Sequence, residues 1–317
     1  MQEFFEYFVM YDKKYPKIIK KRGVFCMKNR TDMAFESHQR LTSGGKTVAG
    51  VHTQQQQEEG MTLRKLTVST LDAARRLGKP QGVYVTLEAP AHWQTDNDGI
   101  IKAARLLSPH LKAVLPQKGT VLVAGLGNTR ITPDSLGPLT VDKVIVTRHL
   151  RAGMPGLFGS MRSVCAVKAG VLGTTGVETA ELIRGICARV RPAAVIAVDA
   201  LASLSVARLG RTFQLSDSGI VPGSGACNAR RALNADTLGV PTVALGVPTV
   251  VDADTIAAEM LGKTDPSEDR EQNGGEFFVT PTDIDALVEK SAKVLAYAIN
   301  IALQGDMSVS DMEQFLC

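Results

Sequence analysis

Four short apolar runs, each leading into a loop, restrict what this chain can fold into more than any other feature: Thr120-Val-Leu-Val-Ala124, Ser163 to Val167, Ala193 to Val198 and Pro241 to Leu245. A continuous apolar run of this length suits a strand covered on both faces. Helical patterns lie between and after the runs, through Leu136 to Thr147, from Val177 to Val190, and from about Thr282 to Leu303 with Pro281 at the first turn. This alternation predicts an α/β fold, a mostly parallel sheet flanked by helices on both faces. Upstream, Leu63 to Val68 and Val83 to Leu87 predict two further strands joined by a short helix around Thr70 to Leu77. Ile100 to Leu115 has apolar residues at helical spacing, with Pro109 an expected kink or break. Residues 38–62, with the Gln54 to Gln57 run, read as a surface loop or weak hairpin.

Charge divides the chain into a leader and a body. Residues 1–32 hold eight Lys and Arg against four acids, and the remaining residues balance at 28 of each. A neutral body lacks the basic stripe of a nucleic-acid-binding surface, so no nucleic-acid partner is expected. Seven of the sixteen aromatic residues fall within the first 25 positions. The leader fails as a secretory signal, because Glu3 and Glu6 sit where positive charge belongs. It reads as a removable pro-segment, a docked amphipathic arm, or sequence upstream of a start at Met27. No apolar run approaches the ~18 residues of a membrane helix, so no membrane partner is expected. The five cysteines are scattered and never spaced Cys-x-x-Cys, which points to a reducing compartment, the cytoplasm. With 317 residues, the chain is long enough for one large α/β domain, assigned to residues 33–317.

In sheets of this kind chemistry gathers in the loops beyond the carboxyl ends of the strands. Asp199 ends the run Val195-Ile-Ala-Val198, so an apolar strand delivers a carboxylate to the sheet's edge. Desolvation there raises a carboxyl pKa toward the range useful for acid–base work. The alternative is an N-cap for a helix over Ala200 to Ala207. Asp134, in Thr-Pro-Asp-Ser-Leu-Gly-Pro, has the same alternative as a cap for the helix from Leu136. Two carboxyls at neighbouring strand ends can share one proton, one activating water while the other hydrogen-bonds a carbonyl. Gly125, Gly127, Asn128, Ser218, Gly219, Gly223 and Ser224, in the Gly-rich loops 125–128 and 216–225, are candidates to offer groups to substrate or oxyanion.

Other chemistries find less support. The Gly125-x-Gly127 loop lacks the third glycine of a dinucleotide fingerprint, and no phosphate-binding Gly-Lys loop is present. The five histidines are isolated, with no His-Glu-x-x-His, so no resident metal or cofactor is expected, although a carboxylate-bound metal between Asp134 and Asp199 stays open. Ser224 lies in Gly-Ser-Gly without a nucleophile elbow, and Cys227 has no evident activating base. Arg148-His149 reads as a helix end favoured by the dipole.

The ordered motifs Arg30-Thr-Asp-Met-Ala-Phe-Glu36, Tyr84-Val-Thr-Leu-Glu88, Gly125-Leu-Gly-Asn128, Thr132-Pro-Asp-Ser-Leu-Gly-Pro138, Thr147-Arg-His-Leu150, Ile196-Ala-Val-Asp-Ala-Leu-Ala202, Ser216 to Gly225 and Gly246-Val-Pro-Thr-Val-Val-Asp-Ala253 resemble the germination proteases of spore-forming bacteria, over about Arg30 to Leu303. That resemblance implies an endopeptidase degrading small acid-soluble spore proteins in the spore core. It also implies a fold similar to hydrogenase maturation proteases, an atypical aspartic mechanism through Asp134 and Asp199, a zymogen and a homotetramer. Family substrates are cut after an acid in a Thr-Glu-apolar-Ala-x-Glu context. Thr31 to Glu36 has that form, so self-cleavage is expected between Asp32 and Met33, discarding residues 1–32. A metal-assisted peptidase on the same carboxylates and a non-catalytic spore-protein binder are the rival readings. The leader is longer than the family's usual pro-segment, residues 254–275 stand in place of a longer insertion in some relatives, and Ala169 stands where relatives often carry proline.

Overall fold

A computed structural model describes residues 31–43, 45–95, 97–224, 230–260, 277–305 and 307–316. The leader through residue 30 with Met27, together with Gly225, Cys227 and most of 254–275, lies outside the described residues. Strands β1 (Val51–Glu58), β2 (Met61–Val68), β3 (Gly82–Glu88), β4 (Val121–Leu126), β5 (Val164–Gly170), β6 (Ala194–Ser203), β7 (Thr212–Ser216), β8 (Thr242–Asp252) and β9 (Phe278–Val279) form one sheet. Its order is β1-β2-β3-β7-β8-β6-β4-β5, with β9 against β8.

The α/β class holds, and the sheet is mixed. Parallel pairing joins β5, β4, β6 and β8, the four strands read from the apolar runs. The β1-β2-β3-β7 half is antiparallel and meets β8 antiparallel as well. The period of two divides the strand side chains between two cores. Val121, Val123, Ala194, Ile196 and Val198 pack with the helices Asn97–Val114 and Ile284–Gln304. Leu122, Ala124, Val195 and Ala197 pack with the helix Thr179–Val190 on the opposite face. A third cluster, with Leu66, Val68 and Tyr84, is capped by the helices Ala34–Thr42 and Leu71–Leu77.

Several local expectations change. Residues 51–68 form a full hairpin of eight paired positions, with the Gln54–Gln57 side chains exposed on its edge strand. Helix Asn97–Val114 passes through Pro109 unbroken. Proline at 109 removes the N–H that would bond the Arg105 carbonyl, and the Ser108 hydroxyl donates to that carbonyl at 3.2 Å instead. The helix from Leu136 stops at Val141, because Asn300 captures the backbone beyond it: Ile145 N–H donates to Asn300 Oδ1 at 2.9 Å, and Asn300 Nδ2 donates to the Lys143 carbonyl at 3.0 Å. Arg148 and His149 begin the helix Arg148–Gly153 instead of ending one. Among the described residues no helix is long and apolar enough to cross a membrane.

Candidate active site

Asp199 does not end its strand. β6 continues to Ser203, paired with β8 through Val251, so no helix follows for Asp199 to cap. The residue is 6% exposed, and one carboxyl oxygen accepts the Ala200 N–H at 3.0 Å. Asp134 closes a 3-10 turn, Thr132–Asp134, and the N-cap of the next helix is Ser135, so Asp134 caps nothing either. Its carboxylate accepts the Asn128 N–H at 2.9 Å, and the same N–H reaches the Asp134 carbonyl at 3.0 Å.

Two glycine contacts bring the aspartates together. A Cβ on Gly125 would lie 2.4 Å from the Gly137 carbonyl, and one on Gly137 would lie 2.5 Å from the Val198 carbonyl. Helix Leu136–Val141 therefore sits backbone-to-backbone on β4 and β6, delivering the preceding turn beside Asp199. The electrostatics record this proximity. Burial holds the Asp199 carboxyl well above the ordinary carboxylate range, and the negative charges of Asp134 and Asp32 push it the same way. Burial lifts Asp134 to about 6, with the Asn128 N–H pulling in the opposite direction.

Asp32 is thus a third carboxylate of the site. Its N–H donates to the Ala202 carbonyl at 3.0 Å, and the Ala202 N–H donates to Asp32 Oδ2 at 2.9 Å. The Ser224 hydroxyl bonds Asp32 Oδ1. Lys79, its pKa lowered by burial and supported by Asp32 and Glu36, donates to the Thr31 carbonyl at 2.9 Å. Met33, on the other side of the expected cut, is fully buried. Four residues past Asp32, the Glu36 carboxylate accepts the Ser203 hydroxyl at 2.6 Å and the Leu204 N–H at 2.8 Å, with Arg208 at 3.5 Å. The Arg64 and Arg208 guanidinium carbons lie 4.7 and 5.7 Å from the Phe35 ring centroid between these anchors.

The floor beneath this segment is one row of the sheet. Asp199 on β6 and Gln214 on β7 both pair with Gly246 on β8, so their side chains rise on the same face, and the Leu201 side chain lies over Gly246, 2.6 Å from where a Cβ there would stand. Two strand spacings separate the flanking residues by about 10 Å. Gln214 Nε2 donates to the Asp32 carbonyl at 3.1 Å, and Gln214 Oε1 accepts the Ala34 N–H at 2.8 Å. The chain at 32–34 therefore bridges from β6 to β7 across β8.

The other candidate residues separate into three groups. Gly127 and Asn128 adjoin Asp134, but the Asn128 N–H is engaged with Asp134 and is not a free oxyanion donor. Gly125 serves the close helix approach. Gly223 is in the turn leading to Ser224, which meets Asp32. Ser218 and Gly219 have other neighbours: the Ser218 hydroxyl bonds Tyr84 at 2.9 Å and Ser216 at 2.6 Å, while Gly219 packs on the Leu233 carbonyl. They go elsewhere because β7 is antiparallel to β8 and carries its carboxyl end away from the Asp199 row. Sequence reasoning passed over Lys79, Ser203, Arg208 and Gln214. Gln214 alone carried a signal, as a polar residue between Phe213 and Leu215 in an apolar strand. Among the described residues, no group of three or more His, Cys, Asp or Glu is arranged to hold a metal ion.

A family model described as germination protease matches residues 28–263. A germination protease of Clostridium perfringens (strain ATCC 13124) is 37% identical over 90% of this chain and 98% of its own length. One from Caldanaerobacter subterraneus subsp. tengcongensis is 38% identical over the same shares. One from Bacillus mycoides (strain KBAB4) is 42% identical over 73% of this chain and 65% of its own. Among solved structures, the hydrogenase maturation protease HycI of Thermococcus kodakarensis KOD1 aligns over 61% of this chain and 98% of its own, with 19% identity and a TM-score of 0.36, too loose a likeness to inform the site. The resemblance read from the motifs is borne out by the family match and these relatives together: the chain belongs to the germination protease family.

Proposed function

We propose that this chain is an endopeptidase that begins the degradation of small acid-soluble spore proteins during germination. It is made as a zymogen that removes its own residues 1–32, and it acts as a homotetramer in the spore core. The observation that carries the mechanism is the convergence of Asp134, Asp199 and Asp32 at one rim of the sheet, where the fields of Asp134 and Asp32 both act on Asp199. The backbone beside Asp32 is held on both sides, by Ala202 and by Gln214.

Burial supports a division of roles. Asp199, the more buried carboxyl with two like charges nearby, holds the proton, and Asp134 is the ionised member at neutral pH. Water adds to the Asp32 carbonyl carbon, giving one proton to Asp134, while Asp199 gives its proton to the carbonyl oxygen. As the intermediate collapses, the C–N bond breaks, Asp134 passes its proton to the Met33 nitrogen, and the proton on oxygen returns to Asp199. The products are a carboxyl terminus at Asp32 and an amine at Met33.

Turnover is expected to rise with pH through about 6 as Asp134 loses its proton, then to fall at higher pH as Asp199 ionises. The two limbs belong to the pair, not to either residue alone. A kcat profile flat from pH 5 to 9 rejects this assignment.

The deciding experiment incubates purified chain with a small acid-soluble spore protein and maps every cut, with and without chelator, while intact-mass spectrometry follows the enzyme. Expected are a new enzyme terminus at Met33 and substrate cuts after an acid that has glutamate four residues further on, undiminished by chelator. A terminus elsewhere removes the self-processing assignment. A stable complex with uncut substrate favours the binding-protein reading.

A further inference from the structure

We infer that Gln214 is the residue that grips the bond to be cut, its carboxamide binding the carbonyl oxygen before the cut and the second N–H after it. This rests on the reading that Asp32–Met33 is the scissile bond and that substrates occupy the same row of the sheet.

The geometry is specific to a carboxamide. Nε2 donates to the Asp32 carbonyl at 3.1 Å, and Oε1 accepts from Ala34 N–H at 2.8 Å, so one planar group spans the Asp32–Met33 bond. Gln214 is 8% exposed and sits between Phe213 and Leu215, both fully buried. A buried amide in such a strand must have partners on both its donor and its acceptor, and the partners here are the backbone of the segment itself. Its sheet neighbours explain its aim. Across Gly246 it shares a row of the sheet with Asp199, and the Leu201 side chain packs over the glycine between them. On this arrangement the carbonyl oxygen takes a fixed hydrogen bond from Gln214 before Asp199 adds its proton. That bond strengthens as negative charge develops on the oxygen. The acceptor half sets register: once Ala34 N–H is bound, Asp32 lies against Ala202 and Ser224, and Glu36 falls onto Ser203 and Leu204. Removal of residues 1–32 frees the Nε2 donor, and an incoming chain takes both halves of the carboxamide once the new terminus at Met33 draws Ala34 off Oε1.

The test uses full-length enzyme and a synthetic peptide carrying Thr-Asp-Met-Ala-Phe-Glu. Wild type is first checked for a new terminus at Met33; if its terminus lies elsewhere, the scissile-bond reading fails and Gln214 is not at issue. Given that terminus, Gln214→Glu, which keeps the acceptor and loses the donor, should lower kcat about 100-fold or more with KM little changed. Gln214→Ala should lower kcat and raise KM together. A second substrate replaces the alanine N–H by an ester oxygen. It should cost wild type three- to tenfold in kcat/KM, the loss of about one hydrogen bond, and cost Gln214→Ala nothing further. Either variant turning over within about threefold of wild type overturns the proposal, and so does an equal ester penalty in wild type and Gln214→Ala. Should both variants fail to fold, the ester peptide on wild type still decides: no penalty there overturns it.

Discussion

Asp199→Asn should yield a chain that never loses its leader, cuts spore proteins about 10²–10⁴-fold more slowly, and yet melts at a higher temperature than wild type at pH 7.5. The two effects have one cause. Asparagine keeps an oxygen to accept the Ala200 N–H, but it has no proton to give to a carbonyl. The stability gain follows from the direction of the pKa. Burial and the neighbouring charges of Asp134 and Asp32 raise the folded-state value of Asp199 well above the ordinary one. A carboxyl raised in the folded state is neutral in both states at low pH. Once pH exceeds the unfolded value near 4, the unfolded chain gains from ionising and the folded one does not, so wild type loses stability as pH rises. Asparagine removes that loss. The melting temperatures of the two proteins should converge near pH 4 and diverge above it. Convergence at high pH and divergence at low pH would mean that Asp199 is stabilised as a carboxylate, and the acid role assigned to it would be lost. Asp134→Asn should match the loss of turnover.

The apolar runs were legible because the period of two and the period of 3.6 leave different marks, and β4 and β6 appear where their composition placed them. The length of β6 was not legible. Ala-Leu-Ala after Asp199 suits a helix locally, but β8 runs eleven residues alongside and supplies pairing partners as far as Ser203. Tertiary pairing outweighs propensity there. The same holds for the Gln54–Gln57 run, polar enough for a loop but held as a strand by its register with Arg64 and Lys65. The nearness of Asp134 and Asp199 was expected from their places just after two apolar runs, although Asp199 lies within β6 and not at its end, whereas the grip on residues 31–36 was not. It comes from Lys79, Ser203, Arg208 and Gln214 on four separate segments, none marked by a motif of its own. One expected oxyanion donor, the Asn128 N–H, was misread for a related reason. A glycine-rich loop advertises free N–H groups, but here the Asn128 N–H is already committed to Asp134.

That commitment makes Gly127 the most sensitive backbone position of the site, and Gly127→Ala should abolish most activity through the placement of Asp134 alone. Gly127 has φ +106°, where an L side chain is strained, and a Cβ there would stand 2.0 Å from the Asp134 carbonyl oxygen and 3.0 Å from Oδ1. The strain costs roughly 1–3 kcal/mol. The clash is with backbone, so no rotamer relieves it, and the turn carrying Asp134 must move. A displacement of about 1 Å at a reacting group is worth on the order of 100-fold in rate, and kcat should fall by at least that while the fold persists with a lowered melting temperature. Gly239→Ala separates the two causes. Its φ is +75°, with nothing within 4 Å of a Cβ, so it bears the strain without the displacement. It should lose stability and keep its turnover. If Gly127→Ala also cuts at the wild-type rate, Asp134 can shift by the width of a methyl group without consequence, and a water held between two fixed carboxyls is not how this site works.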